Sequence, residues 1–109
     1  MLDKKYELRY LPIFYEDLDD KLSYIIDDLK NQQAANDLLD HVEKAILERR
    51  SSAESFEQYQ SRRERKYPYY RIYVDQYIIY YVVIKDEQDT PIMEIRRFLH
   101  SKQNQHKIV

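Results

Sequence analysis

The segment from Tyr67 to Ile84 constrains the fold more than any other. It reads Tyr67-Pro68-Tyr69-Tyr70-Arg71-Ile72-Tyr73-Val74, then Asp75-Gln76, then Tyr77-Ile78-Ile79-Tyr80-Tyr81-Val82-Val83-Ile84. Seven of the chain's 12 Tyr fall in it. Aromatic and β-branched side chains suit a pleated, half-buried surface, so two strands are expected. Asp75-Gln76 stands between them as a tight hairpin turn, without the Gly such turns usually take. Period two puts Tyr69, Arg71, Tyr73 and Asp75 on one face. Tyr70, Ile72 and Val74 take the other and are expected to face helices.

The remaining elements follow from changes of period. Tyr6, Leu8 and Tyr10 alternate within 5–11, which predicts a strand closed by Pro12. Leu18, Leu22, Ile25, Ile26 and Leu29 form a helical stripe over 16–30, with Glu16, Asp17, Asp19 and Asp20 in its first turn. Leu38, Leu39, Val42, Ala45 and Ile46 form a second stripe, ending at Arg49 and Arg50. The short Asn31–Gln33 connection predicts an antiparallel helical hairpin. His41 reads as a surface residue of the second helix. Ser51 and Glu54 have capping-box spacing, which predicts a helical turn carrying Phe56 and Tyr59. Ser61-Arg62-Arg63-Glu64-Arg65-Lys66 reads as a solvated basic linker or helix end. Residues 92–99 predict a last strand, with Met93 and Ile95 opposed to Glu94 and Arg96. Residues 100–109 form a polar tail that is either disordered or docks Ile108 and Val109. The expectation is one α+β domain over 1–109 of order β-α-α-β-β-β. An antiparallel sheet would carry the N-terminal helical hairpin on one face.

Composition removes several classes of function. The chain has 109 residues, no Cys and no Gly. Without Cys there is no disulfide framework, Cys-ligated metal or Cys nucleophile. Without Gly there is no phosphate loop or dinucleotide fingerprint, since both need backbone close to a phosphate. No apolar run spans a bilayer, and the first residues lack the apolar core of a signal peptide. A cytoplasmic protein without cofactor or membrane attachment is expected. His100 and His106 lack the spacing of helical metal ligands, so no metal is expected either. The formal net charge of −2 hides an asymmetry. Residues 1–48 hold 6 Lys/Arg against 12 Asp/Glu, and residues 49–109 hold 12 against 8. The basic half suggests a polyanion-facing surface, and acidic solvated helices beside an ordinary sheet would give the same balance.

An exposed Arg/Tyr face can pair phosphates and stack bases. Equally, its Tyr rings can cover apolar surface while Arg71 answers a cross-strand acid. Arg96, Arg97, His100 and Lys102 cluster at the end of the last strand. Cleavage of RNA by its own 2′-hydroxyl needs a base, a cation for the developing charge and a proton donor. Arg or Lys supplies the second, and His supplies proton transfer near neutrality.

These residues carry a family resemblance. The element order, the hairpin run Tyr70 to Tyr81 and the closing Ile95-Arg96-Arg97-Phe98-Leu99-His100 resemble RelE/ParE-superfamily toxins of bacterial type II toxin–antitoxin systems. The closing strand matches the family's R-x-x-H pattern. The resemblance implies one of two activities: ribosome-dependent mRNA cleavage, or inhibition of DNA gyrase by protein–protein binding. It also implies a cognate antitoxin that holds the toxin inactive. For the nuclease it implies Arg71, Arg97 and His100 as catalytic residues: phosphate-binding cation, transition-state cation and proton carrier. Tyr73, Tyr77, Arg96 and Lys102 would join Arg71 in binding RNA, with ribosome and mRNA as partners. Nuclease members commonly place an Arg where this chain has Tyr77 or Ile78, which leaves the gyrase reading open. A non-toxic antitoxin-binding module is the third reading.

Overall fold

In the computed structural model, residues 6–59, 66–85, 91–103 and 105–109 are described, apart from the side chain of His106. Of the expected basic stretch Ser61–Lys66, residues 61–65 lie outside them. The order is β1 (Glu7–Tyr10), α1 (Pro12–Ser23), a π-helical turn (Tyr24–Asp28) and α2 (Gln32–Arg49). Then come β2 (Gln58–Tyr59), β3 (Tyr69–Val74), β4 (Tyr77–Lys85), β5 (Pro91–His100) and the short α3 (Gln105–Ile108). The class is α+β, as expected.

The sheet departs from expectation. It has five strands in the order β1-β5-β4-β3-β2 and is mixed, not antiparallel. β3, β4 and β5 form the expected meander, but β1 pairs with β5 in parallel, Leu8 against Met93 and Tyr10 against Ile95. Parallel neighbours need a long crossover, and everything between Leu11 and Pro91 supplies it here. Alternation in β1 shows which side chains are buried and carries no information on strand direction. The extra strand holds Tyr59, which the capping-box spacing placed on a helical turn; Gln58 and Tyr59 pair instead with Tyr70 and Tyr69.

Helix boundaries also shift. α1 starts at Pro12, not near Glu16, because Pro fits the first helical position, where no backbone donor is needed. The helical run then widens, with the Leu29 amide donating to the Tyr24 carbonyl at 3.1 Å. Lys30 reverses the chain at φ 53°. Asn31 caps α2, its side-chain oxygen accepting from the Ala34 amide at 3.0 Å.

Two cores follow from the alternation in β4. Ile79 and Tyr81 join Tyr70, Ile72, Val74, Met93, Ile95 and Phe98 against Phe14, Leu18, Ala35, Leu38, Val42 and Ile46 of the helices. The intervening Ile78, Tyr80 and Val82 meet Tyr69, Leu99 and Val109 on the far side. Of the two readings of the tail, the docked one matches, since Val109 is buried there and Ile108 packs beside it. Burial on both faces explains why β4 is apolar almost throughout. Each such fully buried side chain contributes about 1.5–3 kcal/mol.

One irregularity sets the geometry of the basic strand end. Pairing of β4 with β5 slips from Tyr80↔Arg97 to Tyr81↔Ile95, so Arg96 is the extra residue of a bulge. A bulge resets the alternation. Ile95 and Phe98, three apart, therefore both reach the helix-side core, and Arg96 and Arg97 both lie toward the Tyr80 side.

Candidate functional site

The far face of the sheet carries the Arg/Tyr cluster. Arg71, Tyr80 and Arg97 are cross-strand neighbours in one row. The Arg71 guanidinium lies 4.7 Å from the Tyr59 ring centroid and 5.5 Å from that of Tyr73. Such contacts orient a guanidinium without neutralising it. Among the described residues no carboxylate pairs with Arg71. Tyr73 is 64% exposed, so its ring is open to a stacking partner. Tyr80 is buried between Tyr59 and Tyr69, each edge-on to it, and donates to Gln105 Oε1 at 2.6 Å. Burial, then the Tyr59 neighbour, pushes the Tyr80 phenol up to about 12, with Arg71 partly offsetting them. Tyr80 is thus a neutral donor in this face.

The cations of β5 are committed elsewhere. Beyond Ile95 the edge of β5 is no longer paired to β1, and α1 takes it over. Arg97 donates to Asp17 through Nε at 2.7 Å and Nη2 at 2.9 Å, and the Phe98 amide donates to the same carboxylate at 3.0 Å. The hydrogen bond to Asp17 raises the Arg97 pKa above its ordinary value. Arg96 donates to the buried Glu94 at 2.8 Å, and Arg9 reaches Glu94 from β1 at 3.3 Å. A charge buried with two cationic partners is paired, as a carboxylate in such a place must be.

His100 stands apart from this face. It is the cross-strand partner of Tyr77, whose ring stacks on Phe98 in the helix-side core, and the two rings meet edge-on at 5.3 Å. His100 Nδ1 accepts from the Lys102 amide at 3.1 Å. That places the proton on Nε2, which donates to Gln76 Oε1 at 3.3 Å. Tyr77 is half-buried, and burial raises its phenol pKa, so it offers no base at neutral pH. Lys102 is exposed just past the strand.

The structure therefore brings Arg71, Tyr73 and Arg97 to one face, with Arg96 beside them. His100 and Tyr77 lie at the sheet end on the helix side. Sequence reasoning missed three contributors. Tyr59 enters through β2, a strand too short to show periodicity. Asp17 looked like one of several N-terminal helix acids. Arg49, read only as a helix-end cation, donates to the Tyr81 hydroxyl at 2.9 Å and to the Arg71 carbonyl at 3.1 Å, with its guanidinium over Phe56. It ties α2 to β3 just behind the Arg71 side chain.

Among the described residues no three His, Cys, Asp or Glu side chains gather as a metal would need, and no helix is long and apolar enough to cross a membrane. No protein-family model matches the chain, and no curated protein is significantly similar to it.

Proposed function

We propose that the chain is a cytoplasmic RelE/ParE-type toxin whose far sheet face grips single-stranded RNA, acting as a ribosome-dependent mRNA endonuclease held in check by a cognate antitoxin. One observation carries this reading: Arg71, without a carboxylate partner among the described residues, lies against Tyr59 and beside the exposed Tyr73. A guanidinium pairs a phosphate through two parallel bonds, and an open Tyr ring stacks a base of any identity. Arg97 is two strands away, about 10 Å from Arg71 by strand spacing. It would share a phosphate with Asp17 or exchange one for the other. His100 would serve proton transfer only for RNA that runs round the end of β4 and β5. Purified protein on programmed ribosomes tests the reading, with free mRNA as control. Cuts in the A-site codon that need the ribosome support it, and loss of cutting in Arg71→Ala ties it to this face. Intact mRNA with folded, still toxic protein overturns the nuclease.

A second reading rests on a separate observation. Arg96 and Arg97 are neutralised by Glu94 and Asp17, and His100 is on another face. That arrangement suits a toxin that works by protein–protein contact, with DNA gyrase as the target. Inhibited supercoiling without RNA cleavage would select it.

A further inference from the structure

RNA that leaves the Arg71 face and rounds the end of β4 and β5 meets a cavity of about 580 Å³ on the helix side, with His100 in its lining. Sites for small organic ligands span about 300–1,000 Å³. Tyr24, which opens the π-helical turn, stands at the cavity 53% exposed, and Tyr77 forms part of its wall. Aromatic rings at a recess beside a polynucleotide path suit an unstacked base.

The amides of the lining are set by His100. Its ring Nε2 donates to Gln76 Oε1 at 3.3 Å, and its backbone amide donates to Gln103 Oε1 at 2.7 Å. Both amide oxygens are thereby occupied. Both Nε2 groups are left as donors without a partner among the described residues. Asp20 and Lys21 also line the cavity, Asp20 exposed and Lys21 half-buried. Neither joins an ion pair among the described residues. The recess thus offers two amide donors, one carboxylate acceptor and one ammonium, next to two aromatic rings.

Guanine alone of the four bases presents two adjacent donors, N1–H and the N2 amino group, with the acceptors O6 and N7 on the neighbouring edge. A carboxylate accepts from both donors, and its charge strengthens the bonds. Adenine turns an unprotonated N1 toward the same carboxylate and is repelled. We propose that this recess binds a guanine nucleotide: the base stacks on Tyr24, Asp20 accepts from N1 and N2, Gln76 and Gln103 donate to O6 and N7, and Lys21 faces the phosphate. In RNA the same chemistry makes the recess the base-reading part of the site to which His100 and Tyr77 already belong. The choice of an RNA guanine over a free nucleotide rests on the function proposed above.

Titration of the full chain with GMP, AMP and UMP, followed by amide chemical shifts, tests it. GMP is expected to saturate, with shifts centred on Tyr24, Gln76, Tyr77 and Gln103, and AMP and UMP to bind at least about tenfold more weakly. IMP, which lacks the N2 amino group, should lose about tenfold. Asp20→Asn puts an N–H where xanthine carries an oxygen, so it should weaken GMP and strengthen XMP while the thermal midpoint stays unchanged. Tyr24→Ala should weaken GMP about tenfold through the lost stack. Equal affinities for GMP and AMP, an unchanged GMP-to-XMP ratio in Asp20→Asn, or shifts centred on Arg71 and Tyr73 would overturn the proposal. Displacement of GMP by an oligouridine with one central G, and not by plain oligouridine, supports RNA as the source. GMP that resists displacement supports a free guanine nucleotide as the ligand. The nuclease fails separately: GMP bound as described, with mRNA left intact on programmed ribosomes, overturns cleavage and supports the recess.

Discussion

Asp17 on α1 holds Arg97 on β5 by two hydrogen bonds, at 2.7 and 2.9 Å, and takes the neighbouring Phe98 amide as a third. One carboxylate thereby closes the strand edge that β1 leaves open and fixes α1 to the sheet. Both side chains are largely buried, at 22% exposure for Arg97 and 10% for Asp17. Asp17→Ala would leave a guanidinium and a backbone donor without partners. A loss of about 2–3 kcal/mol is expected, below the range for fully buried pairs because Arg97 keeps some water. Urea unfolding measures it. Arg97→Ala should also destabilise, so reduced toxicity in that variant speaks for catalysis only if its unfolding midpoint is restored by a compensating change. A midpoint unmoved in Asp17→Ala would show that the pair contributes nothing.

His41 on α2 meets Asp75 of the β3–β4 turn at 2.9 Å, both side chains being exposed. The hydrogen bond to Asp75, then its charge, raises the His41 pKa above 6.5. A raised folded value means the stabilisation is complete below the unfolded pKa and is lost as pH climbs through the folded one. Thermal midpoints should therefore fall between about pH 6 and about pH 8 by more in the native chain than in Asp75→Asn, which cannot hold the charge pair. Parallel pH profiles for the two proteins would remove His41 from the account.

Lys30 occupies the left-handed region at φ 53°. A Cβ there is crowded against the following carbonyl, a cost Gly avoids. Lys30→Gly should raise stability by about 0.5–1 kcal/mol, less any entropy gained by the unfolded chain. Asp75 has the same φ, but Asp tolerates it, and its side chain is tied to His41. Asp75→Gly should therefore gain little. Differential scanning calorimetry of the two variants gives the comparison, and a Lys30→Gly that melts earlier than the native chain would contradict it.

Arg71 and Tyr73 separate charge from stacking on the far face. Arg71→Ala should weaken single-stranded RNA of every sequence and lower the log–log salt slope by about 0.7. Tyr73→Ala should leave that slope alone and cost about 1–3 kcal/mol of binding through the lost stacked base. Fluorescence anisotropy with an oligouridine at several salt concentrations reads both. Unchanged affinity in both variants would move RNA off this face.

The local elements were legible in the chain's residue order. The 67–84 run specifies two strands and a two-residue turn through side-chain type and period. The two Leu/Ile stripes specify α1 and α2, because a helix must bury one face. Tyr70, Ile72 and Val74 were correctly separated from Arg71 and Tyr73 for the same reason. Tertiary packing set the parallel docking of β1 on β5, since pairing direction depends on where the crossover returns and not on alternation. It alone decided that Arg96 bulges and that Arg97 meets Asp17, 80 positions earlier in the chain. It also put His100 on the helix side while Arg71 faces the other. Period and propensity act over a few residues, whereas a cation's partner is chosen by whichever acid the fold brings within reach. The basic strand end was therefore legible as a cluster of charges, and its neutralisation was not.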